Sequence, residues 1–183
     1  MIRAFFGISL TPQQTEQLRR EYLPLESSLK SACENTLVAI EPKFYHITLK
    51  FMAHIEPGAL AELGDFTQTL LLNTPAFELQ IKKIGLFPHV GGRVIAAFIS
   101  PDPNLLALHL RLDQEGLKFG VARELRRYRP HITLGKFKST PCQFDVIRES
   151  TVKIAVNSVT LYESRPGPQA SIYIPLRVFP LKA

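Results

Sequence analysis

The tetrapeptide His-Ile-Thr-Leu occurs twice in this chain, as His46-Ile47-Thr48-Leu49 and as His131-Ile132-Thr133-Leu134. In a chain of this composition a second copy by chance is an event on the order of a few in a thousand, so the repetition asks for a reason. Imidazole titrates near neutral pH, and phosphodiester hydrolysis needs one group to take a proton from water and another to give one to the departing oxygen. Two histidines can divide that labour. Each threonine lies two residues along, on the same face of an extended strand as its histidine. Its hydroxyl can donate to a non-bridging phosphate oxygen as negative charge builds there. Ile47, Leu49 and Phe51 then enter the core while His46 and Thr48 occupy the other face, and His131 and Thr133 project the same way. If both strands face one ligand, the chain offers acid-base chemistry on a phosphate.

Neighbouring residues extend this reading. Lys50-Phe51 follows Leu49 directly, whereas Gly135 stands between Leu134 and Lys136-Phe137. A bulge at Gly135 returns Phe137 to the core and turns Lys136 to the His131 face, beside a bound phosphate or base. A lone His-x-Thr pair is ordinarily a surface feature. A relic of duplication kept only for packing, however, would retain its apolar residues and let the polar ones drift. His54, His89 and His109 lack a partner motif, and His109, on a leucine-rich helix, reads as structural. The run Arg123, Arg126, Arg127, Arg129 precedes His131 and suits RNA phosphates or a solvated surface equally.

The elements that must carry these residues follow from local signals. Residues 3–10 alternate as a strand, and Thr11-Pro12 opens a helix expected to reach about residue 21 and to kink or end at Pro24. Further strands are expected at 36–41, 44–52, 77–86, 93–100, 131–138, 151–163 and 171–179, with helices at 59–72 and from about 101 to 116–120. Residues 88–92 and 164–168 form turns. Mixed strands and helices with short connections predict an α+β fold of antiparallel sheets. Each repeated motif follows a helix, so we read two pseudo-symmetric lobes of sheet backed by helices, with a cleft between them, as one bilobal domain over residues 1–183.

With 183 residues the chain can bury a sizeable core, and its 45% hydrophobic and 21% charged composition is that of a globular protein. A net charge of +6 favours a polyanionic partner, nucleic acid before membrane surface. No run of about 18 apolar residues is present, and the first ten residues are too short for a signal segment. Cys33 and Cys142 stand far apart, outside any zinc-ligand spacing, so no metal and no disulfide scaffold are expected, and a reducing cytoplasm is the expected location.

The motifs resemble those of the two-histidine (2H) phosphoesterase superfamily, and within it the RNA 2′,3′-cyclic phosphodiesterases also known as 2′-5′ RNA ligases. The resemblance rests on the paired His-x-Thr-x motifs, on Arg3-Ala4-Phe5-Phe6-Gly7-Ile8, and on the Phe87-Pro88 to Arg93 turn. It also takes in the leucines of the third helix, Arg129-Pro130, and Val159-Thr160-Leu161-Tyr162-Glu163-Ser164. It implies metal-independent opening of a terminal 2′,3′-cyclic phosphate to a 2′-phosphate, without cofactor, on RNA or an oligonucleotide and with no obligate protein partner. His131 is then the general base and His46 the proton donor, in roles that the sequence leaves exchangeable, with Thr48 and Thr133 binding the phosphate. Lys136, Phe5 and Arg129 are candidate substrate contacts, Phe5 by stacking a base against Lys136. The reverse reaction would join RNA ends through a 2′-5′ linkage. A non-catalytic RNA-binding module using the same basic surface is the competing reading.

Overall fold

The computed structural model of the protein describes residues 1–32, 36–89, 92–138, 147–167 and 171–183. Among these residues ten strands form one antiparallel sheet: β1 (Ile2–Ser9), β2 (Leu37–Ala39), β3 (His46–Ile55), β4 (Phe77–Phe87), β5 (Val94–Ile99), β6 (His131–Phe137), β7 (Ile147–Glu149), β8 (Lys153–Val156), β9 (Ser158–Arg165) and β10 (Ile172–Pro180). Their order is β10-β9-β1-β3-β6-β5-β4-β7, with β2 paired to β6 and β8 to β4. The helices α1 (Pro12–Ala32), α2 (Pro57–Leu71) and α3 (Pro103–Gly116) complete the α+β fold. The expected lobes are present as the two halves of this sheet, β10-β9-β1-β3 and β6-β5-β4-β7. Both cysteines, and part of each predicted turn at 88–92 and 164–168, lie outside the described residues.

The halves meet where β3 and β6 touch, and there Ile47 pairs with Ile132. Antiparallel pairing at this point sets His46 level with Thr133 and Thr48 level with His131, on one face of the sheet. Beyond it the strands diverge, and β6 takes β2 as its neighbour from Gly135 onward. Both strands carry a bulge at the same offset. Gly7 pairs with Thr48 but Phe6 with Lys50, and Ala96 pairs with Thr133 but Ile95 with Gly135. Leu49 and Leu134 are thus the extra residues. The bulge expected near Gly135 is present, but its twin in β3 corrects the alignment of the two copies: Gly135 is no insertion. It occupies the place of Lys50, Lys136 that of Phe51, and Phe137 that of Met52. Phe51, expected in the core, is 43% exposed on the histidine face, while Met52 is buried.

Helix α1 begins with a capping box, in which the Gln14 amide donates to Thr11 Oγ1 at 3.3 Å and the Thr11 amide to Gln14 Oε1 at 2.9 Å. The helix, expected to reach about residue 21 and to kink or end at Pro24, does not end there but runs on to Ala32. Pro24 faces solvent, whereas Leu18, Tyr22 and Leu29 form a buried stripe across it. Burying such side chains is worth about 1.5–3 kcal/mol each and outweighs one lost helical hydrogen bond. The helices tie the lobes together by crossing the seam. Tyr22 of α1 lies under β6, where a Cβ at Gly135 would sit 2.8 Å from its hydroxyl. From α3, His109 meets the Leu49 carbonyl at 2.7 Å and Asp113 accepts from Lys50 at 2.5 Å, both beneath β3. The core joins these layers through Ile47, Leu49, Ile132 and Leu134, all at most 2% exposed.

Candidate active site

Each motif histidine is fixed in the same way by the residue two places before it. His46 Nδ1 lies 2.7 Å from the Phe44 carbonyl and His131 Nδ1 lies 2.8 Å from the Arg129 carbonyl. A carbonyl only accepts, so Nδ1 carries the proton in both rings. Nε2 is then the nitrogen available for chemistry, as an acceptor when the ring is neutral and a donor when it is charged. The segments before the strands make these bonds possible: residues 42–44 form a single 3₁₀ turn that presents the Phe44 carbonyl, and Arg129-Pro130 leads directly into β6.

The rings around the two histidines differ. His46 packs against Phe5 (ring centroids 4.8 Å) and against the edge of Tyr173 (4.9 Å). Phe5 in turn stacks on Tyr162 at 4.9 Å. His131 stacks directly on Phe87 at 3.9 Å. Burial among these rings pushes the His46 pKa down to about 4; the Phe44 carbonyl opposes the shift, and the positive charge of His131 and Lys136 adds to it. Burial also lowers the His131 pKa, against the opposing bond to the Arg129 carbonyl. Both imidazoles are therefore held neutral at pH 7, His46 most firmly. His131 and Lys136 thus both lie within electrostatic reach of His46.

Thr48 and Thr133 are half-buried on the face of the histidines, each opposite the other copy's histidine. Lys136 is exposed on that face, as expected. Phe5 lies elsewhere than expected: it is 2% exposed, covered by Tyr162 and Tyr173, and forms the floor under His46 rather than a platform open to a base. Gly7 lets it do so, since a Cβ there would come within 3.2 Å of the Phe5 ring. Arg129 is exposed and donates from Nη1 to the Pro88 carbonyl at 3.2 Å, so its visible contribution is the carbonyl that holds His131. Three residues escaped the sequence reading. Phe51 is exposed on the reactive face, with the Arg3 guanidinium 5.5 Å from its ring centroid. Tyr128 donates to the Thr48 carbonyl at 3.0 Å and stacks on His109 at 3.9 Å, which satisfies the structural role expected of that histidine. Tyr173 walls His46. Equal offsets from the two histidines would have revealed Phe51, whereas Tyr128 and Tyr173 carry no motif.

The likeness to known proteins can be set against this geometry. A family model described as the 2′-5′ RNA ligase superfamily matches residues 12–168. The chain belongs to the 2′-5′ RNA ligase superfamily. Two proteins named RNA 2′,3′-cyclic phosphodiesterase are similar to it: one from Archaeoglobus fulgidus, 26% identical over 170 residues, covering 90% of this chain and 94% of its own, and one from Aeropyrum pernix, 24% identical over 144 residues, covering 73% and 80%. Among solved structures, a Thermus thermophilus protein superposes with a TM-score of 0.81 at 20% identity over 98% of each chain. E. coli LigT, crystallised with 3′-AMP, gives 0.75 at 22% identity over 100% of this chain and 99% of its own. Membership of the 2′-5′ RNA ligase superfamily bears out the resemblance read from the paired motifs, and the solved structures share this fold. Among the described residues no helix is long and apolar enough to cross a membrane.

Proposed function

We propose that this protein is a metal-independent phosphodiesterase that opens the 2′,3′-cyclic phosphate at an RNA end to a 2′-phosphate. The observation that carries the reading is the Ile47–Ile132 pairing, which gathers two imidazoles with free Nε2 atoms and two threonine hydroxyls on one face. The names of the relatives support the substrate class, and the charge of +6 suits a polyanion. In the proposed step His131 Nε2 takes a proton from water as its oxygen attacks phosphorus, and the bond from phosphorus to O3′ breaks. His46 Nε2 donates a proton to O3′, while Thr48 and Thr133 donate hydrogen bonds to the non-bridging oxygens as charge accumulates there. Attacking and leaving oxygens lie in line across phosphorus, which matches two histidines approaching from opposite strands.

The low pKa of His46 fits an acid that the substrate itself loads. The phosphate anion stabilises the imidazolium, so His46 acquires its proton as the substrate binds. Lys136 adds a cation at the phosphate or the terminal base. Run in reverse, with a 5′-hydroxyl in place of water, the same groups would form a 2′-5′ linkage. The deciding assay is turnover of a nucleoside 2′,3′-cyclic phosphate in EDTA, with the product identified. A 2′-phosphate formed at an unchanged rate is expected. RNA retention without turnover, weakening as salt rises, would instead identify a binding module.

A further inference from the structure

The wall of the active site continues past His46 into a cavity of about 260 Å³, lined among others by Lys43, Phe44, His46, Tyr162, Tyr173 and Pro175. Its surfaces are aromatic: the Tyr173 ring meets Phe44 edge-on at 5.7 Å and His46 at 4.9 Å. Lys43 stands at the rim, with Nζ 4.9 Å from the Phe44 ring centroid. It pairs with Glu41 at 2.7 Å, but both side chains are about two-thirds exposed (66% and 64%), and so weak a pair yields readily to an anion. Among the described residues the lining comes from the segment before β3, from the start of β3, and from β9 and β10, with none from β6. A phosphate held between the two motifs therefore leaves this space unfilled.

We propose that the cavity takes the nucleobase of a second RNA nucleotide, the one joined 5′ to the nucleotide that bears the cyclic phosphate. This rests on the function proposed above and names the part of the substrate beyond its reacting end. Aromatic walls with a cation at the lip are how proteins hold a single-stranded base without regard to its identity. The flank is right for the upstream strand. O3′ departs beside His46, so the ribose and the chain attached to it lie on this side, while water enters from the side of His131. The charge count agrees. A lone nucleoside cyclic phosphate brings one anion, which the motifs hold, whereas a dinucleotide brings a second phosphodiester that the Lys43 ammonium can meet.

The test compares three substrates: a nucleoside 2′,3′-cyclic phosphate, a dinucleotide ending in the same group, and that dinucleotide with its upstream residue abasic. The intact dinucleotide is expected to exceed the mononucleotide in kcat/KM by about tenfold, mainly through KM, and the abasic form to lose most of that gain. Lys43→Ala should narrow the dinucleotide-to-mononucleotide ratio by about threefold. The chain contains no Trp and five Tyr, so the fluorescence of Tyr162 and Tyr173 is read as the part of the signal lost in Tyr162→Phe and Tyr173→Phe. Titration with the 2′-phosphorylated mononucleotide and dinucleotide should show the same preference without turnover. Equal affinity for the two would overturn the proposal, as would a fluorescence change that survives loss of the upstream base but not of the terminal one. If nothing is hydrolysed while the dinucleotide still binds about tenfold more tightly, the enzymatic reading fails and the subsite stands.

Discussion

From His46 to Met52 and from His131 to Phe137 the two halves of the sheet bury and expose their residues in the same order, yet they fill equivalent places differently. Four residues after its histidine, β3 has Lys50 and β6 has Gly135. Lys50, 3% exposed, reaches Asp113 and the Ala122 carbonyl (2.6 Å), whereas Gly135 makes room for Tyr22. Opposite the next residue, β1 has Phe5 and β5 has Val94; one strand further out stand Tyr162 and Phe87. Because Val94 is small, Phe87 lies flat on His131, while the larger Phe5 comes between Tyr162 and His46. The backbone frame is symmetric and the packing beneath it is not. Burial lowers the proton affinity of both rings, but different neighbours bury them: Phe5 and Tyr173 beside His46, Phe87 beside His131.

The two halves should be most sensitive at the histidines. His46→Ala and His131→Ala should each lower turnover by at least about 10²-fold, and the double variant should fall little further, because neither ring completes the proton transfers alone. Single-turnover rates on a cyclic phosphate check this, and near-normal activity in either variant would remove that histidine from the reaction. Next comes the slot four residues on. Lys50→Met removes the buried ammonium from Asp113 and leaves its carboxylate the Glu124 amide at 3.0 Å and the largely exposed Arg123 guanidinium at 3.5 Å. A loss of about 3–5 kcal/mol in denaturant unfolding is expected, and Lys50→Met combined with Asp113→Leu should recover most of it. If Lys50→Met unfolds like the unaltered protein, the pair does not anchor α3 beneath β3.

How much of this could be seen in the sequence depended on whether a signal was local or relational. The repeat gave the histidines, the threonines and the two-lobed antiparallel plan, because alternation along a strand is a property of consecutive residues. The bulge was legible only where glycine marked it. In β3 the same bulge is carried by Leu49-Lys50, ordinary strand residues, so Phe51 was sent to the core, the reverse of what the structure holds. Pro24 was read as a kink or an end because the stripe that carries the helix past it, Tyr22 to Leu29, gains its stability from contacts with other elements. Phe5 was assigned to the correct face but to the wrong role. Its cover comes from Tyr162 and Tyr173, about 160 residues away in sequence, and nothing local announces it.

Thr48→Val and Thr133→Val keep the β-branched shape and remove only the hydroxyl. If each donates to the developing charge, each substitution should cost about 2–4 kcal/mol of transition-state stabilisation, read mainly in kcat. An unchanged kcat with a lower Tm would make the threonine a packing residue. Each threonine lies opposite the other copy's histidine across the seam, so similar losses are expected from both. A large loss at one alone would mean that the phosphate sits off the symmetric position.

The smallest expected effect tests the asymmetry itself. Phe5→Val gives β1 the residue that β5 has at Val94 and opens the floor under His46 to water. Burial is the principal cause of the low His46 pKa, so relieving it should raise that value by about one unit toward the ordinary imidazole range, followed by NMR titration of the ring. The sign carries into activity. In the free protein the acid must hold its proton and the base must lack one, so kcat/KM should follow a bell whose optimum lies on the acid side of the ordinary imidazole pKa. Phe5→Val should move that optimum upward, while kcat, measured on the phosphate-bound protein, moves less because the anion already favours the imidazolium. Stability follows the same linkage. A histidine whose folded pKa is depressed binds fewer protons than in the unfolded chain, so its contribution is present above about pH 6.5 and is lost as pH falls toward about 4. The unaltered protein should therefore weaken across that window more steeply than Phe5→Val does. An unmoved His46 titration in the variant would show that the rings do not set its proton affinity, and that the difference between the two halves is one of shape without consequence for the division of labour.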